Sequence, residues 1–235
     1  MNKKKYKITE VYPNSPLVEV VCEVRFPGEL AIECRKDEFY EKIRDRYPTI
    51  LVPKAGDSLS PYRFENKERT AEIMLAINRF SLHDKEYSGH KRFIKEFIDR
   101  FKTLYKMYSL KKLVRVGWRY INVIPFTRED GIVPLQRFIS VKVNLPEGVS
   151  DQFENLSMVL ISKVPDGTIT TRIESIIRSD DQQEALLLDF DFALTEKIAF
   201  SKINSCVSMA HEQTRAIFEN LITDDYRQYL RGETI

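Results

Sequence analysis

The stretch Pro16–Phe26, PLVEVVCEVRF, decides how the rest of the chain is read. Val18, Val20, Cys22, Val24 and Phe26 fall on one side of it, and Glu19, Val21, Glu23 and Arg25 on the other. Period two marks a strand with one face in a core and one face wet, because successive side chains of a pleated strand point to opposite faces. A one-sided strand of this kind belongs to an antiparallel sheet covered on one face only. Pro27-Gly28 ends the run.

Outward from that strand, strand and helix patterns mix without the regular alternation of a parallel sheet. A charged helix is predicted over about Lys36–Arg46, then a loop marked by Pro48, Pro53, Gly56 and Pro61. Strands follow near Tyr62–Glu65 and Thr70–Leu82, joined at Asn66-Lys67. Ile94, Phe97, Ile98, Phe101, Leu104, Tyr105 and Tyr108 recur at helical spacing. Leu113–Ile124 reads as a long strand, and Pro134–Ser140 as a short helix or an irregular connection. Leu156–Val164 and Thr168–Ile177 flank the turn sequence Pro165-Asp166-Gly167, and Ala185–Ala193 is a further strand. A final helix runs from about Ser201 to Leu221, with a continuation toward Leu230. The expected class is α+β: antiparallel sheet, helices packed on one face, and a long C-terminal helix. Residues 1–235 are read as one functional unit, with a boundary near 145–150 if it divides into two α+β subdomains.

Composition narrows the class. A chain of 235 residues, 43% hydrophobic, supplies a sizeable core. A formal net charge of +2 points to no particular partner. Cys22, Cys34 and Cys206 are odd in number, far apart and without a C-x-x-C pair, which argues against a disulfide framework and a zinc site. The basic start, MNKKKYKITEVYP, has no apolar run behind it, so no secretory signal is expected. No apolar stretch approaches the roughly 18 residues of a membrane span. The expectation is a cytoplasmic protein without membrane contact.

The familiar catalytic motifs are absent: no G-x-x-x-x-G-K-[ST], no G-x-G-x-x-G and no G-x-S-x-G. His83, Asp84 and His90 lie around one predicted loop and form the one histidine-based candidate for metal or acid–base work. Asp189 and Asp191 alternate within LLLDFDF, and Glu174 sits on a neighbouring predicted strand. A metal-dependent hydrolase would use such a set. Ordinary cross-strand pairing with Arg25, Arg115, Arg119 and Arg172 explains the same spacing and is preferred. No catalytic residue, metal ligand or cofactor is therefore assigned.

Charge is unevenly spread. Lys91 to Arg119 holds ten Lys/Arg against Glu96 and Asp99, whereas Asp180 to Glu196 holds six acids and no Lys or Arg. Lys91, Lys95, Lys102 and Lys106 line the outer side of the predicted helix, and Arg115 and Arg119 share a strand face. Such a segment suits nucleic-acid phosphate or a nucleotide. The bland alternative is a solvated helix face and internal neutralisation.

Three segments carry a resemblance. In PLVEVVCEVRF they are Glu19, Glu23, Arg25 and Phe26; in VRVGWRYINVIPF, Gly117, Arg119, Tyr120, Ile121 and Asn122; in AHEQTRAIFENLITDDYRQYL, His211, Phe218, Ile222 and Thr223. The chain resembles a sporadically distributed family of uncharacterised prokaryotic proteins of about this length, with Trp118 standing where an aliphatic residue is usual. The resemblance covers nearly the whole chain and brings no catalytic residue with it. It implies a component of a prokaryotic accessory system of the mobile-element, toxin–antitoxin or defence type.

The resulting expectation is a non-enzymatic binding protein whose partner is another protein or a second copy of the chain, as in a homodimer. The candidate binding residues are Glu19, Glu23, Arg25, Arg115, Arg119, Tyr120, Asn122, Lys95 and Lys102. If the first and middle strands are neighbours, Glu23–Arg119 or Glu19–Arg115 pairs form a charged ladder on the sheet, and that ladder is expected to be covered by the rest of the chain, a second copy or a ligand. The alternatives are nucleic-acid or nucleotide binding through the basic segment 91–119, and a metal-dependent hydrolase.

Overall fold

In a computed structural model that describes residues 6, 10–53, 60–143, 145–148, 150 and 152–233, the chain runs β1 (Leu17–Arg25), α1 (Ala31–Cys34), α2 (Lys36–Ile43), β2 (Thr49–Leu51), β3 (Tyr62–Glu65), β4 (Ala71–Ala76), β5 (Arg79–Asp84), α3 (His90–Met107), β6 (Arg115–Pro125), α4 (Leu135–Phe138), β7 (Ser157–Val164), β8 (Gly167–Ile177), β9 (Glu184–Leu194), α5 (Ile203–Leu221) and α6 (Asp224–Leu230). The nine strands make one antiparallel sheet in the order β2-β3-β4-β5-β1-β6-β9-β8-β7. The first strand of the chain thus lies at its centre, between β5 and β6. The sheet runs unbroken across the connection around residue 145, because β6 pairs with β9 along almost its full length.

Alternation sorts the sheet into two faces. Val20, Cys22 and Val24 of β1 are buried beside Trp118 and Tyr120 of β6, Phe80 and Leu82 of β5, and Phe190 and Phe192 of β9. The helices pack on this face. Phe39 of α2 meets Phe64 and Phe80 edge-on, Phe97 and Phe101 of α3 lie against Phe80, and Phe218 of α5 meets Phe190. Burying a large apolar side chain contributes about 1.5–3 kcal/mol, so this layer carries most of the fold's stability. The α+β class, the antiparallel sheet, the helical cover and the long C-terminal helix are all present.

Local chemistry redraws some boundaries. The predicted strand Thr70–Leu82 is two strands, β4 and β5, folded at Ile77-Asn78. The carbonyls of that turn accept from Glu29 N (2.8 Å) and Phe26 N (3.0 Å), which fixes it against the end of β1. The loop after Pro48 contains the short edge strand β2; Gly56 lies outside the described residues. The C-terminal helix breaks at Ile222-Thr223, where the backbone is extended, Ile222 bridges to Ile139, and the Thr223 hydroxyl accepts from Tyr226 N to cap α6. At the β7–β8 turn it is Asp166, not Gly167, that takes the left-handed conformation. Gly167 answers a different need: a Cβ there would lie 2.6 Å from the Phe192 ring and 2.7 Å from the Ala193 carbonyl oxygen.

Glu219 of α5 is fully buried and meets Arg227 of α6, Arg215 one helical turn back (2.5 Å) and the Tyr12 hydroxyl (2.9 Å). This cluster ties the segment before β1 to the end of the chain, and Arg231–Glu10 (2.7 Å) repeats the tie nearer the surface. Among the described residues no helix is long and apolar enough to cross a membrane.

Candidate functional site: the open charged face

The sheet's other face carries most of the strands' charged side chains. Glu19, Glu23 and Arg25 of β1 share it with Arg115 and Arg119 of β6, Asp189 and Asp191 of β9, and Arg172 and Glu174 of β8. Arg119 donates from Nε and a terminal NH2 to the two oxygens of Asp189, at 2.7 and 2.6 Å. Asp189 is only 7% exposed, and Arg172 stands 3.6 Å from it. Arg115 donates to Glu23 (2.7 Å) and to Asp191 (3.3 Å), while Arg25 donates to the same Glu23 oxygen at 2.7 Å. Glu174 accepts from Ser157 and lies 3.5 Å from Arg172. A charged ladder exists, but with other partners than the two pairs expected. The β1–β6 register sets Val21 opposite Arg119 and Gly117 opposite Glu23, so Arg115 takes Glu23 and Arg119 turns to β9. Glu19, opposite Ile121, turns to β5, where its carboxylate lies 2.8 Å from His83 Nδ1.

Gly117 makes the Glu23–Arg115 contact possible. A Cβ on it would lie 2.5 Å from an Arg115 terminal nitrogen, so the guanidinium lies over bare backbone. The register also lines up Arg79, Arg25 and Arg115 directly opposite one another across β5, β1 and β6. Like charges in that relation repel. Glu23 answers two of the three, and Arg79 makes no ion pair with another described residue.

The hydrogen bond from His83 holds the Glu19 carboxyl below its ordinary value. Burial pushes the Asp191 carboxyl up, against the pull of Arg115 and Arg119. The bond to Asp189 raises the Arg119 guanidinium further.

Glu19, Glu72 and His83 bring three ligand-type atoms within 4.8 Å of one another, the one such group among the described residues. Its members are already engaged: Glu72 accepts from Arg63 Nε (2.7 Å), and His83 Nε2 lies 3.1 Å from the Ser81 hydroxyl. An ion would have to displace those bonds. Neither carboxylate set nor histidine set singled out in the sequence converges. Asp189, Asp191 and Glu174 share a face but each is turned to an arginine. His83 lies on the open face, Asp84 on the helical face, and His90 opens α3, stacked on His211 at 4.4 Å.

The remaining candidates lie on the opposite side of the sheet. Tyr120 is buried; its hydroxyl lies 2.7 Å from His211 Nδ1 and 3.1 Å from the Tyr87 hydroxyl, and burial pushes its phenol up to about 12. Asn122 donates to the Leu188 carbonyl at 3.1 Å. Both are interior connections between β6 and its neighbours. Lys95 and Lys102 are exposed on α3, Lys95 lining a groove of about 470 Å³ with His90, Lys91, Asn204 and Ser208. Since α3 packs on the Phe80 face, these lysines and the pair Arg115 and Arg119 occupy opposite sides of the molecule. The basic segment 91–119 is therefore not one surface. Sequence reasoning missed Arg63, Glu72 and Arg79; their alternation in YRFE and AEIMLAINRF marks them as face residues, but the strand order that joins them to β1 is not written locally. A scan of protein-family models and a search of curated proteins find no match to this chain.

Proposed function

We propose that this chain is a non-enzymatic binding protein that engages another protein through the open face of its sheet, in the accessory-system setting that the sequence resemblance implies. The observation behind this is charge balance on that face. Arg25, Arg63, Arg79, Arg115, Arg119, Lys163 and Arg172 make seven cations; Glu19, Glu23, Glu65, Glu72, Glu174, Asp189 and Asp191 make seven carboxylates. Nucleic acid is held by uncompensated cations that release counterions, and a neutralised face offers few of them. A face of alternating sign instead matches a partner of alternating sign, where charge fixes register and rejects wrong partners. The row Arg79–Arg25–Arg115 is a local surplus of positive charge and takes an acidic side chain of the partner.

Affinity capture from a host lysate, with wild type and Arg79→Glu side by side, tests this reading. The expected result is one protein retained by wild type and lost with the variant. Titration of generic DNA and RNA oligonucleotides separates the alternative: tight binding that weakens steeply between about 50 and 200 mM salt would replace the protein-partner reading with a nucleic-acid one.

A further inference from the structure

We propose that the chain forms a two-fold dimer by pairing β7 with β7 of a second copy, joining two nine-stranded sheets into one. The bonds are made by the backbone of the sheet's edge, which Ser157, Val159, Ile161 and Lys163 border on the open-face side, and they form whatever the centre of that face binds.

An edge strand presents a row of unpaired backbone groups, and proteins commonly blunt it with charge, proline, bulges or shortness. β7 is eight residues long, SMVLISKV, with no proline and a single charge. Val159 is 50% exposed, Leu160 46% and Ile161 73%, so it is apolar and open on both faces. The opposite edge, β2, has three residues, too few to match it head to tail.

The backbone selects one register. Ser175 N donates to the Leu156 carbonyl at 2.9 Å, so Leu156 is a bonded position of the β7–β8 ladder. Bonded and non-bonded positions alternate, so even-numbered residues of β7 face β8 while Ser157, Val159, Ile161 and Lys163 aim N–H and C=O outward. These four are symmetric about Leu160. A two-fold axis through Leu160, normal to the sheet, sets Ser157 against Lys163 of the second copy and Val159 against Ile161 of the second copy. Every outward group is then paired. Shifting the axis by one residue leaves Ser157 or Lys163 unpaired.

The side chains agree with that register. Val159 and Ile161 of the two copies meet on one face, and Leu160 meets Leu160 of the second copy on the other. Lys163, which makes no ion pair with another described residue, arrives opposite Ser157, and Ser157 is itself opposite Glu174 and bonded to it. The lysine of each copy therefore extends toward the carboxylate of the other.

Sedimentation from about 1 to 100 μM tests the proposal, a range suited to an interface at the small end of the usual sizes. The expected result is a concentration-dependent rise from 27.6 kDa to twice that mass. Ile161→Pro removes an outward N–H and no bond to β8, a position where an edge strand accepts proline. It is expected to stay folded by circular dichroism and to weaken dimerisation at least tenfold. Lys163→Glu on the exposed edge is expected to weaken it about two- to fivefold, and Glu174→Lys in the same chain to restore it. A monomer throughout the range, open-ended polymers, or a dimer indifferent to both Ile161→Pro and Lys163→Glu would overturn the proposal. Should Ile161→Pro not fold, the Lys163 and Glu174 pair decides. Loss of the dimer in Ile161→Pro with partner capture intact, or loss of capture in Arg79→Glu with the dimer intact, keeps this inference distinct from the open-face reading; Lys163 and Glu174, which also lie on that face, are read for dimerisation alone.

Discussion

Arg119 and Asp189 form a two-bonded ion pair in which the carboxylate is nearly sealed from water and the guanidinium is 39% exposed. The two partners are therefore unequal. Losing the arginine strands a buried charge, while losing the aspartate leaves a cation that water reaches.

Arg119→Ala is accordingly expected to cost about 1–3 kcal/mol, below the 3–5 kcal/mol of a fully buried pair because Arg172 remains 3.6 Å from Asp189. Asp189→Asn should cost less. Urea unfolding followed by the fluorescence of Trp118, the single tryptophan, measures both. Equal losses would mean the pair acts as an exposed one.

Arg79→Glu is expected to stabilise the fold by about 0.2–1 kcal/mol, since it replaces a like-charge neighbour of Arg25 by an opposite one. The same variant is predicted above to lose the partner. A gain in stability joined to a loss of binding would mark the arginine row as kept for recognition; a loss of stability would remove that argument.

His83→Ala is expected to flatten the acid limb of the stability profile. The folded Glu19 carboxyl lies below its ordinary 4.5, so the unfolded chain takes up its proton first as pH falls. The stabilisation is fully present above pH 4.5 and is lost as pH falls through the folded value. Wild type should therefore lose stability more steeply than the variant below pH 4.5. Thermal melts across about pH 3–6 make the comparison.

Arg227→Met is expected to cost about 3–5 kcal/mol, because it leaves Glu219 buried without its main partner. Tyr12→Phe removes one hydrogen bond from the same carboxylate and should cost about 1 kcal/mol. If Arg227→Met is as mild as Tyr12→Phe, Arg215 alone suffices to hold Glu219.

Gly117→Ala is expected to keep the fold, since the atoms in the way belong to the end of a flexible side chain, and to move the Arg115 guanidinium off Glu23. A crystal structure of the variant with the Glu23–Arg115 contact intact would refute this role for the glycine.

Much of the fold was legible because alternation is local. PLVEVVCEVRF reports its two faces without reference to any other strand, and the stripe from Ile94 to Leu104 reports a helix in the same way. The ladder's partners were not legible. In the observed register Glu23 lies opposite Gly117, two residues from Arg115 and two from Arg119, so which arginine it meets is set by the neighbouring strands and not by spacing within either one, and Glu19 meets His83 only because β5 flanks β1. Tyr120 and Asn122 entered the binding candidates as members of the motif that carries the resemblance, yet alternation along the strand turns both away from Arg119. The helix end at Leu221 was legible; that the stretch toward Leu230 is a separate helix was not, because the extended Ile222 follows from its bridge to Ile139.

The central position of β1 has a consequence for how the protein is made. Its two sheet neighbours, β5 and β6, end at Asp84 and Pro125, the latter 100 residues beyond Arg25. At about 5–20 residues per second, the ribosome needs about 5–20 s to add that interval. Throughout it, a nascent strand carrying Val18, Val20, Cys22, Val24 and Phe26 has at least one edge open. Folding of the sheet must wait for distant chain, which makes it slow by topology. The most exposed moment in the life of this molecule therefore falls during synthesis, when a chaperone on the N-terminal strand would matter most.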